Sequence, residues 1–136
     1  MSRSRPLFLL SVVILLSMAM LACGSSQRQL TSIALTPATA DAQSYPNGQV
    51  PFVATGHYNK APMTAPLQPV WTVYLLSGQQ GNVTISSSGI AQCGAGVVGS
   101  FSVLAYAPAD PSLPVTNASL LSAKKAAVGT AQIICP

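Results

Sequence analysis

Ser100-Phe-Ser-Val-Leu-Ala-Tyr-Ala107 is the stretch from which the fold class follows. Phe101, Val103 and Ala105 fall on one side of an extended chain, and Ser102, Leu104 and Tyr106 on the other. Side chains alternate between faces in a strand, whereas a helix gathers them at every third or fourth position. The same period of two recurs outward in both directions. Residues 130–135 put Ala131, Ile133 and Cys135 together, 70–75 group Trp71, Val73 and Leu75, and 83–85 offer Val83 and Ile85. Residues 49–58 set Phe52, Ala54 and Gly56 against Val53 and Thr55, and 31–35 pair Ile33 with Leu35. Pro37, Pro46, Pro51, Pro69 and Pro108 lie at or between these runs, where a missing amide donor disturbs a ladder least. Short alternating runs with regular turn signals predict an all-β domain, a two-sheet sandwich of about seven strands. Outside the N-terminus only 118–128, Ala-rich and weakly periodic, is a helix candidate.

The N-terminus has a different character. Arg3 and Arg5 are followed by Pro6 and by the apolar run 7–22, in which Ser11 and Ser17 are the only polar side chains. Crossing a bilayer takes about 20 apolar residues. A positive start and a shorter apolar core predict a cleaved secretory signal, residues 1–22, which takes no part in the fold. The rest of the 136-residue chain is room for one domain. From Cys23 onward Arg28, Lys60, Lys124 and Lys125 stand against Asp41 and Asp110, four minus two, a net of +2. Lys124-Lys125 is the only basic pair, so nucleic acid is not expected as a partner.

Ala19-Met20-Leu21-Ala22-Cys23-Gly24 closes the apolar run. It resembles the bacterial lipobox, with Met20 where Leu is usual. The resemblance implies that Cys23 takes a diacylglycerol thioether and an N-terminal acyl chain such as palmitate. The protein would then be an exported, membrane-anchored lipoprotein of the cell envelope, and Gly24 would favour the outer membrane. One acyl chain anchors weakly, and several together hold. With Cys23 lipidated, Cys93 and Cys135 remain of the three cysteines, and an exported protein keeps such a pair oxidised. Geometry permits the bridge. If the last strand runs antiparallel to 100–107, Cys135 arrives near Ser100, and Gly94, Gly96 and Gly99 let the chain from Cys93 fold back. Residues 23–29 read as an anchored linker and 30–136 as the domain.

Within that domain five segments carry a second resemblance. Leu30-Thr-Ser-Ile-Ala-Leu-Thr-Pro-Ala38, Phe52-Val-Ala-Thr-Gly-His-Tyr58, Val70-Trp71, Val83-Thr-Ile-Ser-Ser-Ser-Gly-Ile90 and Gly99-Ser-Phe-Ser-Val-Leu-Ala105 occur in order. They resemble successive strands of the group 2 bacterial immunoglobulin-like domains found in intimin- and invasin-type surface proteins. The resemblance implies an immunoglobulin-like sandwich. Two stretches depart from it: 59–69 is Pro-rich where the family has a polar turn, and the 108–128 connection exceeds the family's hairpin. Trp71 is expected in the core, against Ile33, Phe52 and Val103.

Catalytic equipment is not evident. Glycoside hydrolysis needs two carboxyl groups about one bond, and Asp41 and Asp110 lie far apart in the sequence. His57, the only histidine, reads as a strand residue rather than a catalytic base. A zinc site needs about four ligands. No enzyme activity, cofactor or metal is therefore expected. The expected function is a lipid-anchored envelope module with a structural or protein-interaction role. Two alternatives stay open: a binder of carbohydrate or another surface ligand through the 108–128 loop, and an accessory subunit or inhibitor of an envelope enzyme.

Overall fold

A computed structural model describes residues 27–74, 82–116 and 125–136. These residues form ten strands and two single-turn 3-10 segments. The all-β class expected from the alternation is what forms. The strand count exceeds seven for local reasons. β1 (Leu30–Thr36) and β2 (Thr39–Asp41) are parted at Pro37, which has no amide to donate. β3 (Gln49–Pro51) and β4 (Val53–Tyr58) are one run interrupted at Phe52. β5 (Thr64–Leu67) arises inside the Pro-rich stretch, at a sheet edge where Pro66 is tolerated. β6 (Val70–Tyr74), β7 (Val83–Ile85), β8 (Ile90–Cys93), β9 (Gly99–Pro108) and β10 (Ala126–Cys135) complete the set.

The strands join in three ladders, β1-β4-β5, β3-β8-β7 and β2-β10-β9-β6. The Phe52 amide donates to the Gly89 carbonyl at 2.9 Å, which prolongs the β3–β8 ladder past the break. All pairings are antiparallel except β2 with β10. β9 and β10 pair over their full lengths, from Pro108 opposite Ala126 to Gly99 opposite Cys135. The final strand is therefore longer than the expected 130–135. The helix candidate at 118–128 is corrected at its end: residues 126–128 belong to β10, and 117–124 lie outside the described residues.

Alternate residues of β9 and β10 face inward. Phe101, Val103, Ala105 and Ala107 meet Ala127, Ala131, Ile133 and Cys135, with Leu30, Ile33, Leu35, Val50, Phe52 and Ala54 opposite. Phe101, Ile133, Val50 and Val103 are fully buried, each worth about 1.5–3 kcal/mol over an exposed side chain. Gly129 shows how closely the layers pack. A β-carbon there would lie 2.9 Å from both the Ile33 Cγ2 and its carbonyl oxygen. No larger residue lets β1 cross β10 at this distance.

The bridge between Cys93 and Cys135 forms, with Cα atoms 5.9 Å apart across 42 residues of sequence. It pins the end of β10 to the end of β8. At the opposite end residues 27–29 contact the strands, while 23–26 of the expected linker lie outside the described residues. Gln27 Nε2 donates to Asp110 at 3.0 Å, and the Gln29 amide donates to Asn59 Oδ1 at 2.7 Å. Arg28 lies 3.5 Å over the Tyr58 ring. Residues 27–29 are thus part of the domain surface.

Candidate functional site

The sequence-derived candidates do not converge on one site. Cys23 lies outside the described residues. Asp41 sits opposite Ile134 on β10, while Asp110 follows Pro108, which is opposite Ala126. Eight residue steps of β10 separate these two positions (134 minus 126), about 26 Å at strand rise. Two carboxyl groups at such a distance cannot flank one glycosidic bond. Each also has a local task. Asp41 accepts the Gln43 amide at 2.9 Å and caps a 3-10 turn. Asp110 accepts Gln27 Nε2, the Ser112 amide and the Ser112 hydroxyl. The Ser112 hydroxyl, then its amide, hold the Asp110 carboxyl below the ordinary carboxylate range. His57 is a half-buried β4 residue with Ser32 and Thr64 across the ladders. Among the described residues no group of three His, Cys, Asp or Glu is placed to hold a metal ion.

Trp71 packs against the core, as expected, but is not fully enclosed. It is half-buried, because β6 is the edge strand of its ladder and the indole reaches the rim between sheets. Gly89 lies close to the ring, where a β-carbon would be 2.9 Å from Trp71 Cζ2. Gly89 has φ +83°, so the turn and the ring contact both select glycine. Trp71 also lines a groove of about 370 Å³ together with Pro69, Val70, Ile85, Ser86, Ser87 and Thr116. Ser86 is already engaged, since its hydroxyl meets Ser88 at 2.8 Å and accepts the Ile90 amide at 3.0 Å. Thr116 belongs to the 108–128 connection, so that loop does reach a concave surface next to an aromatic ring.

The β2-β10-β9-β6 ladder is the four-stranded one, and its outer face is built by the register of β6, β9 and β10. Directly opposed residues share a face, so Val70, Thr72 and Tyr74 stand beside Tyr106, Leu104 and Ser102, and these beside Val128, Thr130 and Gln132. None of the nine carries a charge. Tyr74 is 57% exposed and Val128 46%. Two tyrosines and three aliphatic residues are mixed there with Thr72, Ser102, Thr130 and Gln132. The alternation that revealed β9 already contained this face, but only the register joined it to β6 and β10.

A second hollow, of about 300 Å³, lies beside the disulfide and is lined by Gln43, Tyr45, Gly48, Cys93, Val97 and Pro136. Nothing in the sequence reading pointed there. No protein-family model matches this chain. No curated protein matches it significantly.

Proposed function

We propose that this chain is a lipid-anchored cell-envelope module with an immunoglobulin-like fold and a structural or protein-interaction role. The observation that carries the reading is the division of the three cysteines. Cys93 and Cys135 bond to each other, a chemistry of exported proteins. Cys23 is left at the end of a signal-like run, in a lipobox-like setting. Strand order supports the immunoglobulin-like part. If β3 and β4 are two halves of one strand, then β1, β3/β4, β8 and β7 follow the order A, B, E, D of such domains. The facing ladder β10-β9-β6 follows G, F, C, with β2 alongside G. The uncharged outer face of that ladder supports an interaction role, with a protein as the partner.

Mass spectrometry of the N-terminal peptide from the membrane fraction tests the anchor. An acylated peptide beginning at Cys23 is expected, and Cys23→Ala should release the protein from the membrane. An unmodified peptide starting upstream of Cys23 overturns the reading.

The Trp71 groove favours a second reading, a ligand site for carbohydrate with the ring as platform and hydroxyl groups at its edge. Trp71 is the only tryptophan of the chain, so its emission reports directly on the groove. Titration with soluble envelope oligosaccharides should shift that emission under this reading. No change at millimolar sugar dismisses it and leaves the protein-interaction role.

A further inference from the structure

Arg28, Lys60 and Lys125 are the only Lys and Arg among the described residues, and all three lie at one end of the sandwich. Backbone hydrogen bonds tie their segments together. The Asn59 amide donates to the Gln29 carbonyl at 3.0 Å, the Leu30 amide to Ala109 at 2.7 Å, and the Ala109 amide to the Lys125 carbonyl at 3.1 Å. Arg28 is fixed in this group, with its Nε 3.3 Å from the Lys60 carbonyl and its Nη2 2.5 Å from that of Pro62. Lys60 and Lys125 are exposed. The one acid at this end, Asp110, is occupied by three local donors and leaves a net of three minus one, +2. The far end holds Asp41 and no described cation.

The same end receives the N-terminal chain. Gln27 is docked there on Asp110. Four residue steps join Cys23 to Gln27, a reach of at most about 14 Å. The sandwich is longer than that, since ten-residue β9 alone spans about 33 Å. An anchor at Cys23 therefore keeps the basic end near the bilayer and holds the Asp41 end away from it.

We infer that the Arg28–Lys60–Lys125 end docks on an anionic phospholipid surface and orients the domain with its disulfide end outward. For the closeness of the bilayer this rests on the Cys23 anchor proposed above. The attraction itself needs no anchor, because basic side chains bind anionic headgroups within about a Debye length, some 8–10 Å.

The test separates the two. Residues 23–136 carrying Cys23→Ser contain every described element and have no site for the lipid. Their binding is measured by co-sedimentation with vesicles of phosphatidylcholine alone and of phosphatidylcholine mixed with phosphatidylglycerol. Expected is binding to the anionic vesicles only, lost at high salt. Lys60→Gln and Lys125→Gln should each lower the partition about fivefold. Asp41→Asn raises the net charge equally but at the far end, and should change nothing. Equal binding to both vesicles, or no binding to either, overturns the docking surface. So does a gain from Asp41→Asn matching the loss from either Lys variant, since net charge would then decide. Whether Cys23 is acylated is read on a separate peptide and bears on none of these outcomes.

Discussion

The two ends of the sandwich are closed by different chemistry. At one end a covalent bond joins Cys93 to Cys135, and residues of two 3-10 turns line one hollow with Cys93 and the buried Val97. At the other end the closure is a web of weaker contacts: Gln27 to Asp110, Gln29 to Asn59, Leu30 to Ala109, and Arg28 over Tyr58. The difference follows from what each end must hold. β10 enters after a connection that begins beyond Pro108, so β9 does not secure it through a tight hairpin. Its far end has only β9 and the short β2 as ladder partners, and the disulfide supplies the missing restraint. The entry end brings four chain segments together, and neighbouring segments can restrain one another without a covalent bond.

The largest effect is expected at the covalent end. Replacing both cysteines, Cys93→Ala with Cys135→Ala, removes the restraint without leaving a free thiol. Closing 42 residues of sequence confines the unfolded chain, and losing that confinement should cost about 3–4 kcal/mol. Urea unfolding of the variant, and of the native protein under reductant, should agree on this loss. A loss below about 1 kcal/mol would mean that packing by Val97 and the 3-10 turns, rather than the bond, secures this end.

A smaller loss is expected at the entry end. Arg28→Ala removes the ring contact and two hydrogen bonds to backbone carbonyls. Contacts at such half-exposed sites contribute about 0.5–1.5 kcal/mol each before entropy is counted, so a net of about 1–2 kcal/mol is expected. Hydrogen exchange should locate it. The Leu30 and Asn59 amides should exchange faster, while Phe101 and Ile133 stay protected. Arg28→Lys keeps the charge but not the planar fork, and should recover only part of the loss. If Arg28→Ala matches the double cysteine variant, the two ends do not differ in strength and the contrast between them fails.

Both ends were unequally legible in the sequence. Cysteine number and the antiparallel return of the last strand were enough to pair Cys93 with Cys135. Nothing local announced that Arg28 would lie over Tyr58, since their meeting depends on the β1–β4 register. Strand reading divides the same way. β1 and β9 carry large inward residues at alternate positions, Ile33 with Leu35 and Phe101 with Val103, and could be read. The start of β10 could not, because its inward residues there are Ala127, Gly129 and Ala131. Small residues give little hydrophobic signal, yet the close crossing by Ile33 requires them. β8 buries only Ala91 fully, and β5 is written in residues that elsewhere mark a loop. Trp71 reads as core, and it does pack against the core; its partial exposure was not legible, because an edge position is a property of the assembled sheets.

The smallest effect isolates one contact of the entry end. Asp110 accepts hydrogen bonds from the Ser112 hydroxyl and amide, which favour its charged form and lower its pKa. A carboxyl whose pKa falls on folding stabilises the native state above its unfolded pKa, and the contribution is lost as pH falls through the lowered folded value. Ser112→Ala removes the hydroxyl, the larger of the two causes, and leaves the amide. The Asp110 carboxyl should then titrate at higher pH, though still below the ordinary range, as followed by its carboxyl carbon signal in NMR. Because Asp110 is exposed, stability near neutral pH should barely change, and the difference between variant and native protein should shrink further as acid protonates the carboxyl in both. At the other end the Gln43 amide, which donates to Asp41, should exchange at an unaltered rate. A Ser112→Ala variant that speeds exchange of the Gln43 amide as well as moving Asp110 would show that the two ends communicate through the sheet, and they could then no longer be treated as independent closures.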